Sequence, residues 1–490
     1  MTAATSHPLR SMHFLPHLSL LVLLALTVRA ERPNVLLVLS DDHSVPHVGA
    51  YGDLNCQRLN LTPSLDAFAA QGMRFTRAYT ASPQCAPSRT AIFAGRSPIG
   101  MAATRFGQPA RAGTPLMTDL LRAAGYWVGL DGRHQHLDGQ INDPPHVIAA
   151  QEEKGVRGAQ FESRFDHFVR GARTKGEALA RVPALFGSVL DKVPAGKPFF
   201  LYFGFNQPHR PWGDDHEGIN PAELKLPADW PDLPEVRLDY ARYLAELRDL
   251  DTGFGSIMNV LEQRGLAKNT LVIFMGDNGE ALLRGKGTLH TRGLNVPLMV
   301  RWPAVVRSGS VSDRLISGED LAPTILRVAG LAPDQGMTGQ DFTPLLLGQS
   351  FGGRAQVFAE RGWHFGPITR TDGFDLSRSV VTPRYNFIYN AIPERSYTPV
   401  DMATRNVAWD ATKAAHAAGR LRPEHARIYF QNPRPVFELY DLENDPFELN
   451  NLAGQASVSA IEQDLRERLD RWMVGEGDYV PLPTHAFQNR

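Results

Sequence analysis

Cysteine is scarce in this chain: Cys56 and Cys85 are the two present among 490 residues. Two cysteines exclude a multi-bridge disulfide framework and leave no Cys/His spacing that demands zinc. A single Cys56–Cys85 bridge is formally allowed, but it would consume the thiol on which the chemistry below turns. Excess charge of one sign is also missing. Lys and Arg number 51 against 52 Asp and Glu, a formal net charge of -1. That removes any global electrostatic case for a nucleic acid or an acidic polymer, though it permits a local basic pocket. Internal repeats and low-complexity tracts are absent. What remains, 43% hydrophobic and 21% charged, suits one large α/β domain with a smaller companion.

Long apolar runs are missing too, apart from one. Arg10 precedes Leu18–Leu26, and Val28-Arg29-Ala30 follows. A basic flank, a short hydrophobic core and small residues at −3 and −1 read as a secretory signal over 1–30, cleaved after Ala30. The run is short for a membrane span, and an uncleaved anchor is the alternative. No cysteine follows it, which argues against a lipid-anchored N-terminus. The mature chain is expected to be exported, periplasmic or extracellular (lysosomal in a eukaryote), with no stable membrane span.

Asn34–Ser40, Pro198–Phe205 and Thr270–Met275 are continuous apolar runs, as expected of parallel strands buried on both faces. Helical patterns separate them: Thr62–Ala70, Pro115–Ala124, Leu238–Arg264 and Asp320–Leu331. Further strands are expected over Met73–Thr80, Tyr126–Leu130 and Val296–Trp302, while 138–196 reads as an insertion. Repeated alternation predicts a doubly wound, mostly parallel sheet flanked by helices over 31–352. Beyond Gly353 short aromatic strands, Tyr385–Tyr389 and Val436–Asp441, precede a final helix, Val458–Met473. They predict a smaller α+β domain over 353–490.

The most informative stretch is Cys85-Ala86-Pro87-Ser88-Arg89, running into a helix that ends at Gly95-Arg96. Pro87 suits a first helical turn, so Cys85 should sit at a helix N-terminus, where free N–H groups attract an anion. Arg89, one turn on, offers a planar fork matched to an oxyanion. Asp41 and Asp42 end the first apolar strand, and Asp277 and Asn278 end a late one. Open α/β sheets place their sites at such strand ends. Three carboxylates and an amide oxygen form a hard, oxygen-rich set suited to calcium or magnesium. His209 follows a strand in Asn206-Gln207-Pro208-His209-Arg210, and Lys286 lies between two glycines in Arg284-Gly285-Lys286-Gly287.

These motifs resemble those of type I sulfatases, members of the alkaline-phosphatase superfamily, over most of the chain from Asn34 to Ala453. The resemblance implies that Cys85 is oxidised to formylglycine by a maturation enzyme that reads Cys85, Pro87 and Arg89. It implies that Asp41, Asp42, Asp277 and Asn278, with the modified Cys85, ligate Ca²⁺, Mg²⁺ being admitted by the donor set. Lys286 and His209 match family residues at the sulfate. The stretch Gly132-Arg133-His134-Gln135-His136 departs from the family's Gly-Lys-x-His: arginine replaces lysine and one extra residue precedes His136. Arg133 and His136 are assigned to those roles, with His134 competing. In the implied mechanism a hydroxyl of hydrated formylglycine attacks sulfur, His209 or Lys286 protonates the departing group, and His136 helps expel sulfate.

Selectivity is expected to lie in the insertion and the C-terminal domain. His364 and Arg378 are the candidate sugar contacts there, and His134, ahead of the insertion, is a third. The stretch Ser377-Arg378-Ser379-Val380 and the segment to Tyr429 resemble the N-sulfoglucosamine sulfohydrolases (heparan N-sulfatases). That implies exo-action on a heparin- or heparan-type glycan, with N- or O-sulfate released. Two rivals stand beside it: a phosphonate or phosphodiester hydrolase of the same superfamily, and a non-catalytic glycan-binding relative. The second has no need of the Cys-x-Pro-x-Arg signal.

Overall fold

The apolar runs lie at the centre of an eight-stranded sheet in the computed structural model, which describes residues 1–2, 32–133, 137–140, 143–169, 175–364, 373–403 and 406–483. Residues 3–30 of the expected signal segment, with His134 and His136, therefore fall outside the described residues. The chain divides into Met1–Arg32 and Pro33–Arg490, and everything below concerns the second unit. Its larger sheet comprises β1 (Asn34–Ser40), β2 (Met73–Phe75), β3 (Trp127–Gly132), β4 (His167–Phe168), β5 (Phe199–Gly204), β6 (Thr270–Gly276), β7 (Leu298–Arg301) and β8 (Ser310–Ser312). Their spatial order is β4-β3-β5-β1-β6-β7-β2-β8. β1 pairs in parallel with β5 on one side and β6 on the other, and β3 runs parallel to β5 and β4. β7 alone opposes its neighbours β6 and β2. The sheet is mixed and mostly parallel, as expected.

Strand alternation sorts the core into two layers. Leu36 and Val38 of β1, Leu201 and Phe203 of β5, and Val272 and Phe274 of β6 pack with Leu244, Leu247 and Phe254 of the long helix Pro234–Gln263. Val35, Leu37 and Leu39, with Phe200, Tyr202, Ile273 and Met275, pack with Ile92 and Phe93 of the helix Cys85–Ala94 and Leu321 and Ile325 of Leu321–Val328. Both faces are thus covered by helices, which is why these strands read as continuous rather than alternating hydrophobic runs.

Met73–Thr80 does not form one strand. β2 ends at Phe75, and Ala78–Tyr79 leaves the large sheet to pair with Ile316–Ser317. The break lets the chain turn toward the Cys85 helix. The insertion contributes the two-residue edge strand β4 and several helices, among them Val182–Leu190. A second sheet, fully antiparallel, consists of β9 (Val357–Trp363), β10 (Phe374–Val381), β11 (Tyr385–Asn390) and β12 (Phe437–Asp441) in chain order. The terminal helix Ser459–Glu476 covers it through Leu465, Leu469 and Met473. Among the described residues no helix is long and apolar enough to cross a membrane.

Candidate active site

The four central strands end on one edge, and each delivers polar residues there. Ser40 of β1 and Gly276 of β6 are register partners, so Asp41–Asp42 and Asp277–Asn278 emerge side by side. The Asp277 N–H donates to the Ser40 carbonyl at 3.0 Å. One Asp277 oxygen, Oδ1, accepts from the Asp42 N–H at 2.9 Å and from the Asn278 N–H at 2.8 Å. Two crossing backbone turns are thereby locked by a single carboxylate. All four side chains are fully buried.

Cys85 opens its helix, with Gln84 as the extended cap residue and Pro87 in the first turn. Its Sγ lies 3.4 Å from Asp41 Oδ1 and 3.8 Å from Asp42 Oδ1. Burial and the nearby Asp41 carboxylate push the thiol well above its ordinary pKa. It is therefore held protonated, the poorly nucleophilic form. Cys56 is free and buried in the other core layer, and no Cys56–Cys85 bridge forms.

Arg89 departs from its expected aim. Its Nε and NH2 lie 2.9 and 2.8 Å from Asp277 Oδ2, NH2 lies 3.2 Å from Asp41 Oδ2, and NH1 donates to the Arg133 carbonyl at 2.8 Å. The Tyr202 hydroxyl of β5 also meets NH1. The fork thus grips two site carboxylates rather than facing open space for an incoming anion. Arg133, just beyond β3, places Nε against Asp41 Oδ2 and donates from NH1 to Asn206 Oδ1 at 2.9 Å. Gly132 and Gly204 are register partners, and a Cβ on Gly204 would fall 2.0 Å from the Arg133 carbonyl oxygen. Glycine is required there for the two strand ends to close.

Lys286 is buried, with Nζ 2.9 Å from Asp42 Oδ1 and 2.7 Å from Asp401 Oδ2. Gly287 has φ +80°, and a Cβ on Gly285 would lie 2.1 Å from the Glu280 carbonyl oxygen. The two glycines fold the turn tightly enough to bury the lysine. Burial opposes the ammonium, but Asp401 and Asp42 outweigh it and hold its pKa well above the ordinary value. His209 Nε2 lies 3.7 Å from both Asp42 Oδ2 and Asp401 Oδ2. Burial, with the Arg133 and Lys286 charges, holds this imidazole well below its usual pKa.

The carboxylates are not equivalent. Asp41 is resisted by burial but kept low by Arg133, His209 and Arg89. Burial raises Asp42 to about 7, the repulsion of Asp41, Asp401 and Asp277 adding to it against Lys286. Burial and Asp41 raise Asp277 as well. Buried like charges of this kind are relieved by a cation. Atoms of Asp41, Asp42, Cys85 and His209 gather within 4.8 Å of one another. Asn278 donates from its amide nitrogen to Asp42 Oδ1 at 2.9 Å, which leaves its buried Oδ1 without a hydrogen bond among the described residues. An orphaned amide oxygen beside crowded carboxylates fits a hard divalent cation.

Of the candidate sugar contacts among the described residues, His364 is near: it is buried, packs at a tilt against Phe106 with 4.2 Å between ring centroids, and its charge helps depress Asp401. Arg378 is not. It is fully buried inside β10, with its guanidinium on both Asp478 oxygens at 2.5 and 2.9 Å and on the carbonyls of Arg361 and Ser377. That corrects its assignment: it is a structural ion pair under the small sheet. No motif marks Asp401, which lies 115 residues from Lys286. Nor was Tyr202 visible, since a tyrosine in a buried strand reads as core.

The strand order places this acidic edge at the carboxyl ends of β1 and β6, the position at which mostly parallel α/β sheets carry their active sites. The family model described as Sulfatase matches residues 33–331, more than half of the chain, and one described as N-sulphoglucosamine sulphohydrolase, C-terminal, matches 279–401. The chain belongs to the sulfatase family and is a sulfuric ester hydrolase. It is 28% identical to an ulvan-active sulfatase of Formosa agariphila, covering 94% of this chain and 78% of that protein. It is 29% identical to human arylsulfatase A, covering 91% and 88%. Solved structures agree in fold. A protein in complex with its substrate D-glucosamine-2-N,6-O-disulfate aligns with TM-score 0.63 at 18% identity over 92% of this chain and 99% of that one. A phosphonate monoester hydrolase of Agrobacterium radiobacter aligns with TM-score 0.66 at 19% identity over 91% and 96%.

Proposed function

We propose that this sulfatase is an exported, exo-acting enzyme on heparin- or heparan-type glycans that removes N- or O-linked sulfate from glucosamine. The match of residues 279–401 to the N-sulphoglucosamine sulphohydrolase C-terminal description supports it most directly. That segment carries Lys286 and His364 and ends at Asp401. The proposal includes a catalytic domain over 31–352 and a smaller one over 353–490.

Asp41, Asp42, Asp277 and Asn278 would hold Ca²⁺, or Mg²⁺, with the modified Cys85 completing the set. Bound there, the cation would withdraw charge from a sulfuryl oxygen and acidify a nearby hydroxyl. Formylglycine made from Cys85 by a maturation enzyme would, once its aldehyde has added water, replace a protonated thiol with a hydroxyl nucleophile of the hydrate. The remaining work falls to this chain's side chains. Arg89 fixes Asp41 and Asp277 against each other and against Tyr202. Lys286, charged and buried, would stabilise negative charge developing on the sulfuryl oxygens, and Arg133 would do so from the β3 side. His209 or Lys286 would deliver the proton to the departing oxygen or nitrogen. His136 would serve as the base for sulfate release.

The test is sulfate release from N-sulfated glucosamine, its 6-O-sulfated isomer, an aryl sulfate and a phosphodiester. Conversion of Cys85 is verified by mass, with Cys85→Ala in parallel. Release from either glucosamine sulfate, abolished by Cys85→Ala, is the expected result. Phosphodiester turnover exceeding every sulfate would select the phosphonate-hydrolase-like rival. Sugar binding without turnover by converted protein would select the binding relative.

A further inference from the structure

We propose that Asp401 selects the substrate: it accepts a hydrogen bond from a hydroxyl or amine on the sugar atom next to the sulfated position, and its charge rejects a second sulfate or carboxylate there. The inference rests on the glucosamine-sulfate reading above and names the flanking chemistry of that substrate.

A carboxylate is out of place in a pocket built for an anion. Asp401 stands apart from the acids that gather with Cys85. The two oxygens of its carboxylate differ. Oδ2 receives the Lys286 ammonium, with Nζ at 2.7 Å, and faces His209 Nε2 at 3.7 Å. Oδ1 accepts no hydrogen bond among the described residues. The side chain is 25% exposed, against 1% for Lys286 and 0% for Asp42. One oxygen is therefore anchored by Lys286, while the side chain as a whole stays partly open to solvent. Its backbone has φ +62°, a left-handed conformation that aspartate adopts at a cost. Such strain persists where surrounding structure enforces it, commonly at ligand-binding positions.

An ionised carboxylate is an acceptor only. A hydroxyl or ammonium donor satisfies Oδ1, whereas an oxyanion meets it with like charge and no shared proton. Repulsion of that kind is how a site discriminates among ligands that share the group it grips. Lys286 and His209, beside the same carboxylate, are the residues proposed to face the sulfate, so the donor must lie on a neighbouring atom of the same sugar. The charge of His364, itself buried, also acts on Asp401.

The rival role is positional: Asp401 could serve only to orient Lys286 and His209. The two roles separate by substrate. Wild type, Asp401→Asn and Asp401→Glu are compared after Cys85 conversion is equalised by mass. The substrates are N-sulfated glucosamine, its N,3-O-disulfated form with the second sulfate on the neighbouring carbon, the corresponding galactosamine sulfates and 4-nitrophenyl sulfate, which has no flanking donor. The expected result is that Asp401→Asn lowers the kcat/KM ratio of mono-sulfated sugar to aryl sulfate at least tenfold. It also narrows the preference for mono- over disulfated sugar at least tenfold, and Asp401→Glu recovers part of both. Equal losses on sugar and aryl sulfate, with the mono-to-disulfated preference unchanged, would overturn the proposal and leave a positioning residue. So would a wild-type preference for the disulfated sugar. Turnover confined to galactosamine sulfates would overturn the glucosamine reading instead, while the same two ratios on that sugar still decide the role of Asp401.

Discussion

Arg89 and Asp277 are joined by two guanidinium nitrogens on one carboxylate oxygen, Nε at 2.9 Å and NH2 at 2.8 Å, and both side chains are buried. The contact ties the first helical turn after Cys85 to the end of β6. Lysine would keep the charge but not the fork. Arg89→Lys is expected to reduce metal affinity or activity roughly 10–100-fold, the scale for losing a group that orients ligands. Arg89→Met, which leaves Asp277 and Asp41 buried without it, should destabilise the fold by about 3–5 kcal/mol. Formylglycine content must be measured alongside, because the maturation enzyme is expected to read Arg89. Full activity per converted site in Arg89→Lys would disprove the orienting role.

The crowding of Asp41, Asp42 and Asp277 predicts that chelation costs stability as well as turnover. A cation that binds only the folded state at 100 times its Kd contributes about 2.7 kcal/mol. Chelator should therefore lower the Tm by several degrees, and Ca²⁺ should restore both Tm and activity. Asn278→Ala, which removes the orphaned oxygen, should need more Ca²⁺ for the same shift. A melting temperature indifferent to chelator, with turnover intact, would rule the cation out.

The legible part of this site was the part written locally. β1, β5 and β6 announce themselves as apolar runs because helices cover both faces, and Asp41, Asp42, Asp277 and Asn278 follow directly from their ends. Cys85, Pro87 and Arg89 sit within one short segment. The illegible part is tertiary. Asp401 reaches Lys286 across 115 residues, with no periodicity or motif around Pro399-Val400-Asp401 to mark it. Arg378 misled for the opposite reason. Flanked by serines it reads as polar surface, yet β10 is an inner strand, and the arginine turns inward to a carboxylate 100 residues away. Sequence shows that a residue is charged; only packing shows whether its partner is the protein or a ligand.

Arg378 accordingly predicts a stability defect larger than its catalytic one. Both Arg378 and Asp478 side chains are fully buried. Removing one partner strands the other, at about 3–5 kcal/mol. Arg378→Met should lower the urea midpoint sharply, and the double variant Arg378→Met/Asp478→Leu should recover much of it. KM for a sugar sulfate should move far less than stability does. A large KM increase with an unchanged urea midpoint would return Arg378 to the substrate.

Glu438 gives the fold a dependence on pH away from the catalytic edge. It lies on β12 and accepts from Tyr440 Oη at 2.5 Å and Asn390 Nδ2 at 2.6 Å, with His290 Nε2 at 3.3 Å. Burial works against its charge, but His290, then Tyr440 and Asn390, outweigh it and bring the carboxyl down to about 2 from 4.5. A carboxyl whose folded pKa is depressed stabilises the native state above its unfolded pKa and loses that contribution as pH falls toward the folded one. The difference corresponds to about 3 kcal/mol, present in full above pH 4.5 and lost toward pH 2. Glu438→Gln should therefore lower the urea midpoint at pH 7, with a gap to wild type that shrinks between pH 5 and pH 3. A constant gap across that range would mean that packing of Glu438, not its ionisation, holds the small sheet to the His290 turn.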